Sequence, residues 1–132
     1  MSEQGVEFVE GIYGAFARGD VPAVLGAFAE DIEWYEAEGM PYGGLHQGPE
    51  AIAQKVFGPI TEDIDGFALV IEEFIGSGAT VAAVVRYTGT GKATGKALDV
   101  PAVHVWDIRD GKVTRFRQFM DTVKYAEVVP AT

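Results

Sequence analysis

The chain has 132 residues, 48% of them hydrophobic, a formal charge of −10 and no cysteine. This length predicts a single domain, 1–132, with a core large enough to need no metal or disulfide staple. Absent cysteines exclude a disulfide framework, a thiolate metal site and a cysteine nucleophile, while the acidity disfavours nucleic acid and an anionic membrane surface.

The opening MSEQGVEFVE shows neither the basic nor the apolar region of a secretory signal, and no apolar run reaches the ~20 residues of a membrane span. A cytoplasmic location is expected. Val6, Val9, Ile12, Tyr13 and Phe16 recur at helical spacing, and the helix they predict breaks at ARGD. There Gly19 suits a C′ position and Asp20 the next N-cap; Pro22 then opens a second helix with Val24, Leu25 and Phe28 on its apolar side. From Asp31 the pattern changes to alternation. Ile32, Trp34 and Glu36 share one face of the expected strand, Glu33, Tyr35 and Ala37 the other. EGMPYGGLHQG reads as a long glycine-rich loop, of a length more often found in lids than in idle connections. PEAIAQKVFGPI restarts helix with Pro49 near its start.

From Phe67 onward the period is two. FALVIEEFIGSG, TVAAVVRYTGTG, ALDVPAVHVWDIRDG and KVTRFRQFMD are four strand candidates, the last two joined by an Asp110-Gly111 hairpin signal. Successive hairpins predict a curved antiparallel sheet covered by the early helices, an α+β cone of order ααβαββββ around an apolar pocket.

The stretches GDVPAVLGAFAEDIEW, PYGGLHQGPEAI and VHVWDIRDGKVTRFRQFMDT, in this order and spacing, resemble the nuclear transport factor 2-like (cystatin-like) superfamily. Within it they resemble the SnoaL-like polyketide cyclases and the ketosteroid isomerases. The resemblance implies a deep apolar pocket and a homodimer through the outer sheet face. It also places Glu36 where the isomerases carry their general base, and Asp121 where the cyclases carry their acid/base. The isomerases' other polar groups are not matched: their tyrosine falls on Ile12, one residue and about 100° from Tyr13, and their protonated acid falls on Val103.

Glu36 is therefore one candidate for proton transfer, the other possibility being a solvated strand end. Asp121 faces outward if a two-residue type I′ turn pairs Val105 with Phe116. It faces inward, beside Val103 and Val105, if a bulged type I turn pairs Val105 with Arg115, and a bulge later in the strand would reconcile the two. His46 is a candidate proton shuttle over the pocket mouth, or a loop histidine serving a turn. His104, alternating with Val103 and Val105, is expected on the outer face. Trp34, Met40, Tyr42, Phe57, Val103, Val105 and Phe116 are the expected pocket lining. With these two histidines and no metal-ligand spacing, neither metal nor cofactor is expected. The predicted function is a cofactor-independent isomerase- or cyclase-like enzyme moving a proton on a small apolar carbonyl compound. The alternative is a dimeric ligand-binding or scaffold protein of the same fold.

Overall fold

The alternation that begins near Phe28 is the hinge of the architecture, because it carries the chain from helices into the sheet. A computed structural model describes residues 2–130. Helix α1, Ser2–Ala17, ends where Gly19 adopts a φ of 73° and Asp20 N–H bonds back to Ala15 O at 2.9 Å. Asp20 then caps α2, Val21–Gly26, its side chain accepting from Ala23 N–H at 3.2 Å. Strand β1, Phe28–Glu36, runs as foreseen but starts earlier, because Phe28 turns into the core rather than continuing the helix.

The glycine-rich loop is shorter than expected. Gly44–Gln47 forms an edge strand, β2, that pairs antiparallel with β1 and sets His46 opposite Trp34. Helix α3, Pro49–Ile52, passes through a π-helical turn, Ala53–Phe57, into α4, Gly58–Asp63. Strands β3 (Ile64–Ser77), β4 (Thr80–Gly91), β5 (Ala97–Arg109) and β6 (Lys112–Met120) follow, then α5, Thr122–Val128.

The six strands lie in the order β2-β1-β6-β5-β4-β3. Contrary to the antiparallel expectation, β1 runs parallel to β6, so the sheet is mixed. A parallel neighbour needs a long crossover, and the chain supplies one in everything between β1 and β6. Glycine is required where β3 and β4 cross closely: Gly89 has a φ of 142°, and a Cβ there would stand 2.5 Å from Ile64 Cγ2.

The β5–β6 hairpin settles which side chains point inward. Asp110 and Gly111 both have positive φ, 52° and 71°, the signature of a type I′ turn that pairs Arg109 with Lys112. A bulge near Thr114 then shifts the register, so Val105 meets Arg117, a pairing neither anticipated turn produces. Ala102, His104 and Trp106 face the core, with Phe116 and Gln118 beside them. Val103 and Val105 point to the outer face, which corrects their expected place in the pocket lining and brings His104 from the outer face to the inside. The same parity sends Phe119 outward.

Candidate functional site

The helices cover the inner sheet face around a cavity of about 40 Å³, space for a few water-sized groups. Its wall combines aromatic rings with aliphatic side chains. Trp34 from β1 stacks on Phe116 from β6, ring centres 3.6 Å apart and planes at 19°. Trp34 also meets Phe57 edge-on at 5.4 Å, and the π-helical turn is what swings Phe57 and Val56 inward. Tyr13 and Phe16 of α1, Phe67 and Leu69 of β3 close the remaining side, and these four also line an open groove between α1 and β3.

Glu36 is the carboxylate in this wall. It is 3% exposed, and its Oε1 accepts a hydrogen bond from Trp34 Nε1–H at 2.9 Å, the i, i+2 neighbour on the same strand face. Burial pushes its carboxyl up from 4.5 to about 7, against the smaller opposing pull of hydrogen bonds from Trp34 and Gln118. Such a group is partly ionised near neutrality, the condition for a general base.

A second polar chain crosses the same wall. Gln118 accepts Ala37 N–H on its Oε1 at 2.9 Å and donates from Nε2 to the Tyr87 hydroxyl at 2.6 Å. Tyr87 Oη lies 2.6 Å from His104 Nε2, and His104 Nδ1 lies 2.6 Å from Tyr13 Oη. Trp106 Nε1–H donates to that same Tyr13 oxygen at 2.9 Å. Burial drives the His104 imidazole down to about 3, leaving it neutral, and pushes both tyrosine hydroxyls well above their ordinary range.

Of the residues singled out from sequence, Glu36, Trp34, Phe57 and Phe116 meet at the cavity. The others do not. Asp121 is exposed and caps α5, accepting Lys124 N–H at 3.1 Å; it follows the outward-facing Phe119 across the strand end, so the observed register keeps it out of the pocket. His46 sits on the edge strand with Nε2–H donating to Tyr42 O at 2.8 Å, a local loop bond away from the cavity wall. Met40 and Tyr42 are buried but do not line the cavity, and Tyr42 fastens the loop. Tyr42 donates to Asp63 Oδ2 at 3.0 Å and accepts from the Tyr125 hydroxyl at 2.6 Å, tying the loop to α4 and α5. Trp106, on the same strand face as His104, packs edge-on against Tyr13 at 5.5 Å.

Tyr13, Tyr87, His104 and Gln118 are the polar residues that sequence reasoning missed. The available signal was the even-numbered run Ala102-His104-Trp106, whose bulk matches a core face as well as Val103-Val105 does. Among the described residues, no group of three His, Asp or Glu side chains is arranged to hold a metal ion.

The profile of the SnoaL-like domain matches residues 9–116, a span that includes the cavity wall from Tyr13 to Phe116. The chain belongs to the SnoaL-like domain family. No curated protein matches it by sequence. Among solved structures, this SnoaL-like chain is similar to an NTF2-like protein from Burkholderia thailandensis E264. The two are 32% identical, 98% of each is covered, and the TM-score is 0.91. It is also similar to an NTF2-like protein of unknown function from Burkholderia pseudomallei K96243, 30% identical over 99% of this chain and 100% of that one, TM-score 0.89. A third similar structure is TerC co-crystallised with polyporic acid, 28% identical over 96% of this chain and 98% of that one, TM-score 0.86.

Proposed function

We propose that this SnoaL-like domain is a cofactor-independent enzyme that moves a proton on a small, mainly apolar carbonyl compound, with Glu36 as the base. The observation that carries the proposal is one carboxylate, 3% exposed and with its pKa raised to about 7, in a cavity otherwise walled mainly by aromatic and aliphatic side chains. The Glu36 carboxylate takes a proton from the carbon beside the carbonyl, and the C–H electron pair moves into an enolate. Return of that proton from Glu36 to another carbon completes an isomerisation with no co-reactant. Trp34 Nε1–H holds the carboxylate in place, while the aromatic walls exclude water and keep its basicity high. Entry is from the α1–β3 groove, through the wall shared by Phe16 and Phe67, whose rings meet edge-on at 6.1 Å. The family neighbour crystallised with polyporic acid supports a small-molecule ligand for this fold.

A second reading, a protein that holds a ligand without turning it over, is favoured by the small cavity volume. A β,γ-unsaturated cyclohexenone separates the two. Under the enzyme reading the wild type forms the conjugated enone, followed by its ultraviolet absorbance, and Glu36→Gln loses the activity. If the ketone raises the melting temperature without being converted, the holding role stands instead.

The same proposal includes a homodimer through the outer sheet face. Ile75, Ala82, Val105, Arg117, Tyr35 and Leu45 form one cross-strand row there, with Ile75 and Leu45 each about half exposed. Sedimentation analysis of the wild type and of Leu45→Glu checks it: a dimer that becomes a monomer supports this face, and a monomeric wild type rules it out.

A further inference from the structure

The chain Tyr87–His104–Tyr13 can be accounted for proton by proton, and the account leaves one over. Trp106 Nε1 can only donate, so Tyr13 accepts from it. Gln118 has its oxygen engaged by Ala37 N–H, so its Nε2 donates to Tyr87. His104, 3% exposed and without a carboxylate partner, is neutral and carries one N–H. Two tyrosine protons and one imidazole proton thus serve two hydrogen bonds. The third proton has no acceptor within the chain and sits on a terminal hydroxyl, either Tyr13 or Tyr87. Both hydroxyl-bearing rings line the cavity.

The two ends are not equivalent. Tyr13 borders the open groove between α1 and β3 as well as the cavity, whereas Tyr87 lines the cavity and not the groove. A spare donor costs less at the end nearer open space, since a fully buried one forfeits its hydration. Tyr87 is also the end joined through Gln118 to the backbone next to Glu36, and Tyr13 lies beyond His104 along the hydrogen-bond chain. A donor meant for a carbonyl oxygen has to stand apart from the base by the substrate's carbon frame. Tyr13 accepting from both His104 and Trp106 has its remaining O–H polarised toward donation.

We infer that His104, as the Nδ1–H tautomer, is a positioning residue that points this chain toward Tyr13, whose free hydroxyl proton binds the oxygen on which the substrate's negative charge develops. The oxyanion site is then a single hydroxyl supplied by α1 and aimed from β5. Among the described residues, no carboxyl group besides Glu36 lines the cavity. This assignment rests on the proposed Glu36 chemistry for its catalytic meaning, but the proton count does not.

Two measurements test it. Nitrogen-15 NMR of His104 in the wild-type protein at neutral pH reads the tautomer directly. Protonated Nδ1 with bare Nε2 is expected; protonated Nε2 would put the free proton on Tyr87 and overturn the inference. The second probe is 4-nitrophenolate, a stable oxyanion, titrated by its absorbance into Glu36→Gln, where no buried carboxylate repels it. Adding Tyr13→Phe is expected to weaken binding at least about tenfold, as loss of a hydrogen bond to a charged oxygen does. Unchanged affinity in the double variant sinks the assignment, and the tautomer measurement decides the matter if that variant does not fold. If the enone assay fails while both of these succeed, the Glu36 chemistry is wrong and the oxyanion site is right.

Discussion

One sheet carries two polar clusters, and they obey opposite rules. On the inner face, Glu36, Tyr87 and His104, with Tyr13 reaching them from α1, line the cavity, and burial pushes them toward their neutral forms; Gln118 is bonded to Tyr87. On the outer face, Asp107 gathers Arg115 Nε at 2.7 Å, Thr80 Oγ1 at 2.7 Å and Arg117 Nη2 at 3.9 Å. Partial burial pulls the Asp107 carboxyl up, yet Thr80 and Arg115 outweigh it and hold the group below its ordinary value. The two clusters are separated by the thickness of a β-sheet, and Trp106 and Asp107 are consecutive residues. What differs is the surroundings: with no cation at hand, burial selects neutral groups and raises Glu36 toward a base's range, whereas a half-wet face lets ions pair at little cost.

The contrast breaks first on activity. Glu36→Gln keeps the side-chain shape and the Trp34 contact but removes the base, and should lower enone turnover by roughly 10²–10⁴-fold. The matching outer-face change, Asp107→Asn, should leave turnover unaffected, as steady-state rates on the same ketone will show.

Stability against pH sharpens it next. Because folding raises Glu36 from 4.5 to about 7, the folded state holds this proton more tightly than the unfolded one. Its contribution is complete below about pH 4.5 and is lost as pH rises through about 7, a change of about 3 kcal/mol at most. His104 works the other way: lowered from 6.5 to about 3, it stabilises above its unfolded value and gives that up as pH falls toward 3. Urea midpoints across pH should therefore fall on both sides of a maximum, and Glu36→Gln should flatten the alkaline limb alone. An unchanged alkaline limb in that variant would mean Glu36 is not desolvated.

Smaller effects belong to residues outside the cavity. Asp121→Ala removes the α5 cap and should cost about 1 kcal/mol by denaturant titration with no change in enone turnover. A loss of catalysis out of proportion to that cost would restore Asp121 to the site. Smallest is Asp107→Asn on stability, expected below about 1 kcal/mol and shrinking as salt screens its exposed arginine partners.

Much of the fold was legible because it rests on periodicity. Helix-spaced residues in α1 and α2, a switch to alternation at β1, and Asp110-Gly111 as a hairpin are local patterns with local physical causes. Glu36 was legible for the same reason, since Ile32 and Trp34 are bulky and one face of β1 had to be buried. Strand β5 offered no such guide. Valine on one face and alanine, histidine and tryptophan on the other are both apolar enough to be core, because the outer face is itself rich in valine. A loop residue was misplaced for a related reason: Tyr42 carries an apolar load, but its hydroxyl partners are Asp63 of α4 and Tyr125 of α5, elements far along the chain.

By itself, then, the order of residues determined an α+β fold, a curved sheet under helices, and one inward carboxylate on its first strand. Only tertiary structure decided that β1 runs parallel to β6, that a bulge near Thr114 turns His104 inward, and that Asp121 ends as a helix cap. Each of those outcomes depends on a register or a pairing between distant segments. A shift of one residue exchanges the two faces of a strand, and no local pattern records it.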